Sequence, residues 1–123
     1  MSRRILVVDD TPEIAELLTF ALRDRGYDVV SVGYTTSLTD LLADKAVEAV
    51  VLDCSVYDMS ESLFDTLRED PRHRQLPVVV ITDTPEDAVA SLRTRNARHV
   101  LLVPKPFTGA QVASALQQLL ESE

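Results

Sequence analysis

The sequence predicts an α/β fold, a parallel sheet covered by helices on both faces, on three observations. Short apolar runs recur at residues 5–8, 29–32, 49–52, 78–81 and 100–103. Most are apolar without interruption, the pattern of strands buried on both faces rather than of a sheet with one wet side. Segments with helical apolar spacing lie between them and are joined by short connections. Right-handed crossovers then make an open, doubly wound, three-layer α/β/α arrangement the compact solution.

Each element has its own signals. The five runs are rich in Val and Ile and are bounded by Asp, Gly or Pro, as strands are. After the first, Pro12 suits a first helical position with Thr11 as cap, and Ile14, Leu17, Leu18, Ala21 and Leu22 form one apolar face ending at Gly26. Residues 36–44 carry Leu38, Leu41 and Leu42. Residues 60–70 carry Leu63, Phe64 and Leu67, and Pro71 stops them. Pro85 opens a fourth helical segment with Val89 and Leu92, and Asn96 tolerates the left-handed stop position. Thr108 caps a fifth, with Val112, Ala115, Leu116, Leu119 and Leu120 inward.

A chain of 123 residues suits one domain, and no linker or low-complexity tract divides it. The net charge of −8 disfavours direct binding to nucleic acid, whose phosphates it repels. The single cysteine, Cys54, cannot form an internal disulfide and reads as a small buried hydrophobe. No apolar run is long enough to cross a bilayer, and the basic start at Arg3-Arg4 meets Asp9 too soon for a signal peptide. A cytoplasmic location is the expectation. His73 and His99 are expected at the surface or at strand ends rather than as phosphotransfer groups.

In open parallel sheets, ligands bind beyond the carboxyl ends of the strands. The first strand ends at Asp9-Asp10, the third at Asp53, the fourth at Thr82, and the fifth runs to Lys105. Three carboxylates, a hydroxyl and an ammonium should therefore converge on one rim. Neighbouring carboxylates raise each other's pKa unless positive charge lies among them, and Lys105 supplies only one unit. A hard cation with oxygen ligands balances the rest, and Mg²⁺ is the usual choice. The same cation would neutralise an incoming phosphoryl group, so the chemistry points to phosphorylation of an aspartate or to metal-assisted phosphoryl transfer. Taken singly, each residue has a plainer reading: a solvated turn for Asp9-Asp10 and for Asp53, a strand-end β-former for Thr82, a surface charge for Lys105. Only together do they specify chemistry.

These residues, in the segments Ile-Leu-Val-Val-Asp9-Asp10, Val-Leu-Asp53, Val-Val-Ile-Thr82 and Lys105-Pro106-Phe107, resemble the receiver domains of response regulators over essentially the whole chain. The resemblance implies one receiver domain over 1–123 and the flavodoxin-like strand order 2-1-3-4-5. It also implies that Asp53 accepts the phosphoryl group and that Asp10 binds Mg²⁺ directly, Asp9 through water and Ser55 through its carbonyl. Lys105 would pair with Asp53 and then with the phosphoryl group, and Thr82 would turn its hydroxyl onto it. The donor would be a histidine kinase, a histidine phosphotransfer protein or a small phosphodonor. A downstream effector or output domain would bind near the fourth helix, fifth strand and fifth helix, a face that also serves dimerisation in the family. The Lys105–Pro106 bond would be cis. Such a module modifies itself and is not a turnover enzyme.

The sequence departs from the family pattern at several positions. Asp83 follows Thr82 where a small residue is usual, adding bulk and negative charge at the mouth. Tyr57 and Glu61 stand where proline and glycine are common, Leu102 replaces the switch aromatic, Asn96-Ala97 replaces Gly-Ala, and Pro104 stiffens the lysine loop. These departures keep open a second function, a phosphorylation-independent interaction scaffold. A flavin carrier is disfavoured, because Asp9-Asp10-Thr11-Pro12-Glu13 would repel a phosphate lacking a metal. A phosphatase would need a substrate cap, for which the chain has no room.

Overall fold

In a computed structural model, the chain is described over residues 3–33, 42, 46–53 and 57–121, without the side chains of residues 57–61. Its elements are β1 (Arg4–Asp9), α1 (Pro12–Asp24), β2 (Asp28–Val32), β3 (Ala49–Asp53), α2 (Tyr57–Glu69), a 3₁₀ turn (Pro71–His73), β4 (Val78–Thr82), α3 (Pro85–Thr94), β5 (Val100–Pro104) and α4 (Gly109–Glu121). The strands are all parallel, in the order β2-β1-β3-β4-β5. The expected fold is the one observed. The helical segment expected at 36–44 and the residues Tyr34, Cys54 and Ser55 lie outside the described residues, apart from Leu42, which is helical and buried.

Strand side chains alternate between faces, and this splits the core in two. On one side Ile5, Val7, Val51, Val79 and Ile81 pack with Leu18 and Leu22 of α1 and with Val112 and Leu116 of α4. On the other Leu6, Val8, Val50, Leu52, Val78 and Val80 pack with Phe64 and Leu67 of α2, and Leu92 of α3 and Leu102 close the edge. Both faces are thus dry over β1, β3 and β4, which is why those strands carry no polar alternation, while the edge strand β2 exposes Ser31. Tyr27 and Phe107 pack against the first cluster.

The helix ends follow their signals with two differences. Gly26 (φ 90°) and Asn96 (φ 54°) take left-handed stop positions behind α1 and α3. At α4, Thr108 Oγ1 accepts the Gln111 N–H at 3.2 Å while Gln111 Oε1 accepts the Thr108 N–H at 2.8 Å, a reciprocal capping box. Gly109 opens that helix where α1 comes close: a Cβ there would collide with the Ala21 Cβ. The first difference is Thr11, which holds the cap position of α1 but makes no side-chain cap bond. Its hydroxyl goes to Asp10 Oδ1 at 3.3 Å. The second is α2, which starts at Tyr57 and not at Ser60. Ser60 is a good cap residue, but Tyr57, Asp58 and Met59 include no proline or glycine to stop one more turn.

Candidate functional site

Parallel pairing sets the strand ends side by side. Asp9 lies opposite Asp53, Asp53 opposite Ile81, and Thr82 opposite Pro104. The Lys105 N–H donates to the Thr82 carbonyl at 2.7 Å, tying the lysine loop to the end of β4. The residues expected from the strand-end pattern therefore meet on one rim. Three of them are buried there: Asp9 is 5% exposed, Asp53 1% and Thr82 5%.

Lys105 Nζ is 2.8 Å from Asp53 Oδ1. Burial alone would weaken the ammonium, but the bond to Asp53 and the charges of Asp53, Asp83 and Asp9 outweigh it and raise the Lys105 pKa. The lysine is a fixed positive charge beside the Asp53 carboxylate. The Lys105–Pro106 peptide is cis, as the resemblance implies.

Asp9 is under a heavy electrostatic load. Its Oδ1 accepts the Thr11 N–H at 2.7 Å, while its Oδ2 is buried with no hydrogen-bond partner among the described residues. Burial, then the charge and contact of Asp53, then the charge of Asp10, raise its pKa to about 7 against the Thr11 bond. Asp10 itself is exposed. Among the described residues, no three His, Cys, Asp or Glu side chains form a metal cage on their own. The structure thus presses two of the three expected carboxylates together and leaves the third at the exposed edge, with Ser55 outside the described residues. A buried carboxylate oxygen without a donor, facing a second carboxylate, still fits a hard cation with oxygen ligands.

The matching family model is that of the response regulator receiver domain, over residues 5–117. The chain belongs to that family. It is 34% identical over 120 residues, 94% of its length, to the probable transcriptional regulatory protein TcrX of Mycobacterium tuberculosis. It is 29% identical over 122 residues, 98% of its length, to the DNA-binding response regulator MtrA of Mycolicibacterium smegmatis. It spans about half of each of these curated relatives, 49% and 51%. In fold it is similar to the chemotaxis response regulator CheY4 of Vibrio cholerae, with a TM-score of 0.82, 18% identity, and coverage of 97% of this chain and 99% of that one. The protein is therefore a receiver domain of two-component signalling, typically a non-catalytic signalling module. No helix among its described residues is long and apolar enough to cross a membrane.

The two histidines of this receiver domain lie away from the site, in the segments that lead into β4 and β5. His99 is exposed just before β5. His73 corrects the expectation of a surface residue: it is 8% exposed, with Nδ1 3.5 Å from Asp70 Oδ2. Its place in a short 3₁₀ turn folded beneath α2 buries it, and no local sequence pattern signals that. Sequence reasoning also missed Thr84, whose N–H donates to Thr82 Oγ1 at 3.0 Å. The signal was available, since a Ser or Thr two residues before an N–H commonly closes such a turn.

Proposed function

We propose that this receiver domain accepts a phosphoryl group on Asp53 and uses the modification to change a partner-binding face. The observation that carries the reading is the Lys105 ammonium 2.8 Å from a carboxylate that is 1% exposed. An Asp53 oxygen attacks phosphorus, the new P–O bond forms in line with the breaking P–N bond of a phosphohistidine, and the leaving imidazole takes up a proton. With acetyl phosphate, acetate leaves. Lys105 holds the Asp53 oxygen in place and then carries part of the charge on the phosphoryl group. Thr82 lies one strand away with a hydroxyl that can donate to a phosphoryl oxygen.

Mg²⁺ held by Asp9, Asp10, Asp53 and the Ser55 carbonyl would neutralise the charge that builds up on the transferred group. The phosphodonor would be a histidine kinase or histidine phosphotransfer protein, and the receiver of the signal a downstream effector or output domain. The relatives TcrX and MtrA carry regulatory and DNA-binding names, so an output on DNA through a further domain is the natural extension. The partner face would comprise α3, β5 and α4, where Val89 is exposed beside Leu92, Leu101 and Leu102. It would also serve a homodimer.

Mg²⁺-dependent labelling with acetyl phosphate on a phosphate-affinity gel, with mass-spectrometric mapping, tests this reading. One phosphoryl group on Asp53, lost in Asp53→Ala, is the expected result. Absence of label under donor excess would leave the scaffold function instead. Asp83 is exposed at the mouth, and its charge reaches Lys105. Asp83→Ala is therefore expected to label severalfold faster with this anionic donor, and equal rates would show that Asp83 does not obstruct entry.

A further inference from the structure

Thr84 stands at the N-cap position of α3, yet its hydroxyl caps no helix amide. It lies 3.2 Å from Thr82 Oγ1 instead. The Thr84 N–H donates to the same Thr82 oxygen at 3.0 Å. The backbone of Thr84 (φ −124°, ψ 66°) is turned to suit these contacts, away from the fully extended form in which a cap hydroxyl reaches over the first turn. The helix begins with Pro85, Glu86 and Asp87. Pro85 has no N–H to satisfy, and the two carboxylates favour the helix start without a side-chain cap.

A hydroxyl has one proton to donate and two lone pairs to accept with. Thr82 Oγ1 already accepts the Thr84 N–H and touches the Thr84 hydroxyl. Turning it toward a phosphoryl oxygen on Asp53 gives up that arrangement. The Thr84 hydroxyl is then left without its neighbour, one backbone rotation from the ordinary capping position, where it would accept the N–H of Glu86 or Asp87.

We infer that Thr84 is a positioning residue for the switch: it latches the Thr82 hydroxyl in the unmodified protein and, once released, caps α3. A movement of one side chain at the site is thereby converted into a change in the first turn of a helix that borders the partner face. The second half of this inference rests on the phosphorylation reading given above. The latch itself does not.

Amide hydrogen exchange of the full chain, read at Glu86 and Asp87 by NMR, separates the two halves. Without any phosphodonor, Thr82→Val frees the Thr84 hydroxyl and is expected to slow exchange at one of these amides roughly fivefold, the effect of one good cap. Thr82→Val combined with Thr84→Val is expected to show no such gain, and with Thr84→Ser to keep it. Equal exchange in the Thr82→Val variant and in its Thr84→Val double variant overturns the latch. With acetyl phosphate and Mg²⁺, wild type is expected to gain the same protection and Thr84→Val to label but gain none. Labelled wild type with unchanged protection overturns the coupling. Absence of label in wild type defeats the phosphorylation reading and the coupling that rests on it, while the donor-free comparison still decides the latch.

Discussion

The two ends of the sheet treat their polar groups in opposite ways. At the end where β4 and β5 begin, Arg68 reaches out from α2 and donates to the carbonyls of His73 at 2.8 Å, Arg98 at 3.0 Å and His99 at 3.3 Å, with its guanidinium 4.8 Å from the Phe64 ring centre. Asp70 accepts the Arg72 N–H at 2.9 Å and its guanidinium at 2.8 Å. These contacts match donors with acceptors, and His73 Nδ1 is the buried atom at this end that makes no hydrogen bond among the described residues. At the other end Asp9 faces Asp53 across one strand pair, and a buried Asp9 oxygen has no donor among the described residues. Such a pairing of like charges costs stability, and a buried carboxylate perturbed in this way marks a candidate functional site. Lys105 compensates only part of that charge, and this end is the one that carries the candidate site.

Removing the compensation at the structural end should have the largest effect. Arg68→Met keeps much of the side chain's bulk but removes a charged donor from three carbonyls, of which those of His73 and His99 keep the N–H groups of Leu76 and Val78. A loss of about 2–3 kcal/mol in urea denaturation is expected, with labelling of Asp53 unchanged at a temperature where the variant is folded. A variant as stable as wild type would show that these carbonyls are satisfied in another way, and the contrast would lose one side.

The site end should respond with the opposite sign. The folded pKa of Asp9 is about 7, above its ordinary value of 3.8. Between those values the folded state binds more protons than the unfolded chain, so stability falls as pH rises from about 4 to about 7. Asp9→Asn is therefore expected to stabilise the protein clearly at pH 8 and by little at pH 4, measured as the shift in melting temperature. Millimolar Mg²⁺ should also stabilise wild type at pH 8, removal by chelator should reverse the gain, and Asp9→Asn should blunt it. A destabilised Asp9→Asn at pH 8 would mean that the carboxylate is held by a partner rather than strained.

The smallest effect belongs to Asp70, whose carboxyl is held well below the usual carboxylate range, chiefly by its bonds to Arg72. Here the unfolded state binds more protons, so the contribution is present above pH 4 and fades as acid protonates the group. Asp70→Asn is expected to lower the melting temperature slightly at neutral pH and not at all in strong acid. The pH profiles of Asp9→Asn and Asp70→Asn should thus have opposite signs, and profiles of the same sign would remove the distinction between the two ends.

Much of this was legible before any coordinates. Uninterrupted apolar runs gave a sheet buried on both sides, and Asp9, Asp53, Thr82 and Lys105 stood at the strand ends where such sheets bind ligands. Those features are local, set by side-chain period and by the residue that follows each strand. Helix starts were less legible. Thr11 looks like a cap from composition but is turned aside by Asp10 at the rim, as Thr84 is by Thr82, whereas Thr108, with Gln111 in reach, does cap its helix.

By itself the sequence determined which residues would stand at the strand ends, because alternating strand and helix periods leave the chain one compact way to fold. The tertiary structure alone decided how those residues share charge. Asp9 and not Asp10 is pressed against Asp53, because strand register places the former inward and leaves the latter at the edge. It also decided that His73 is buried and that Arg68 ties the segments leading into β4 and β5 together. Burial and pairing between distant segments are properties of packing, and no window of sequence contains them.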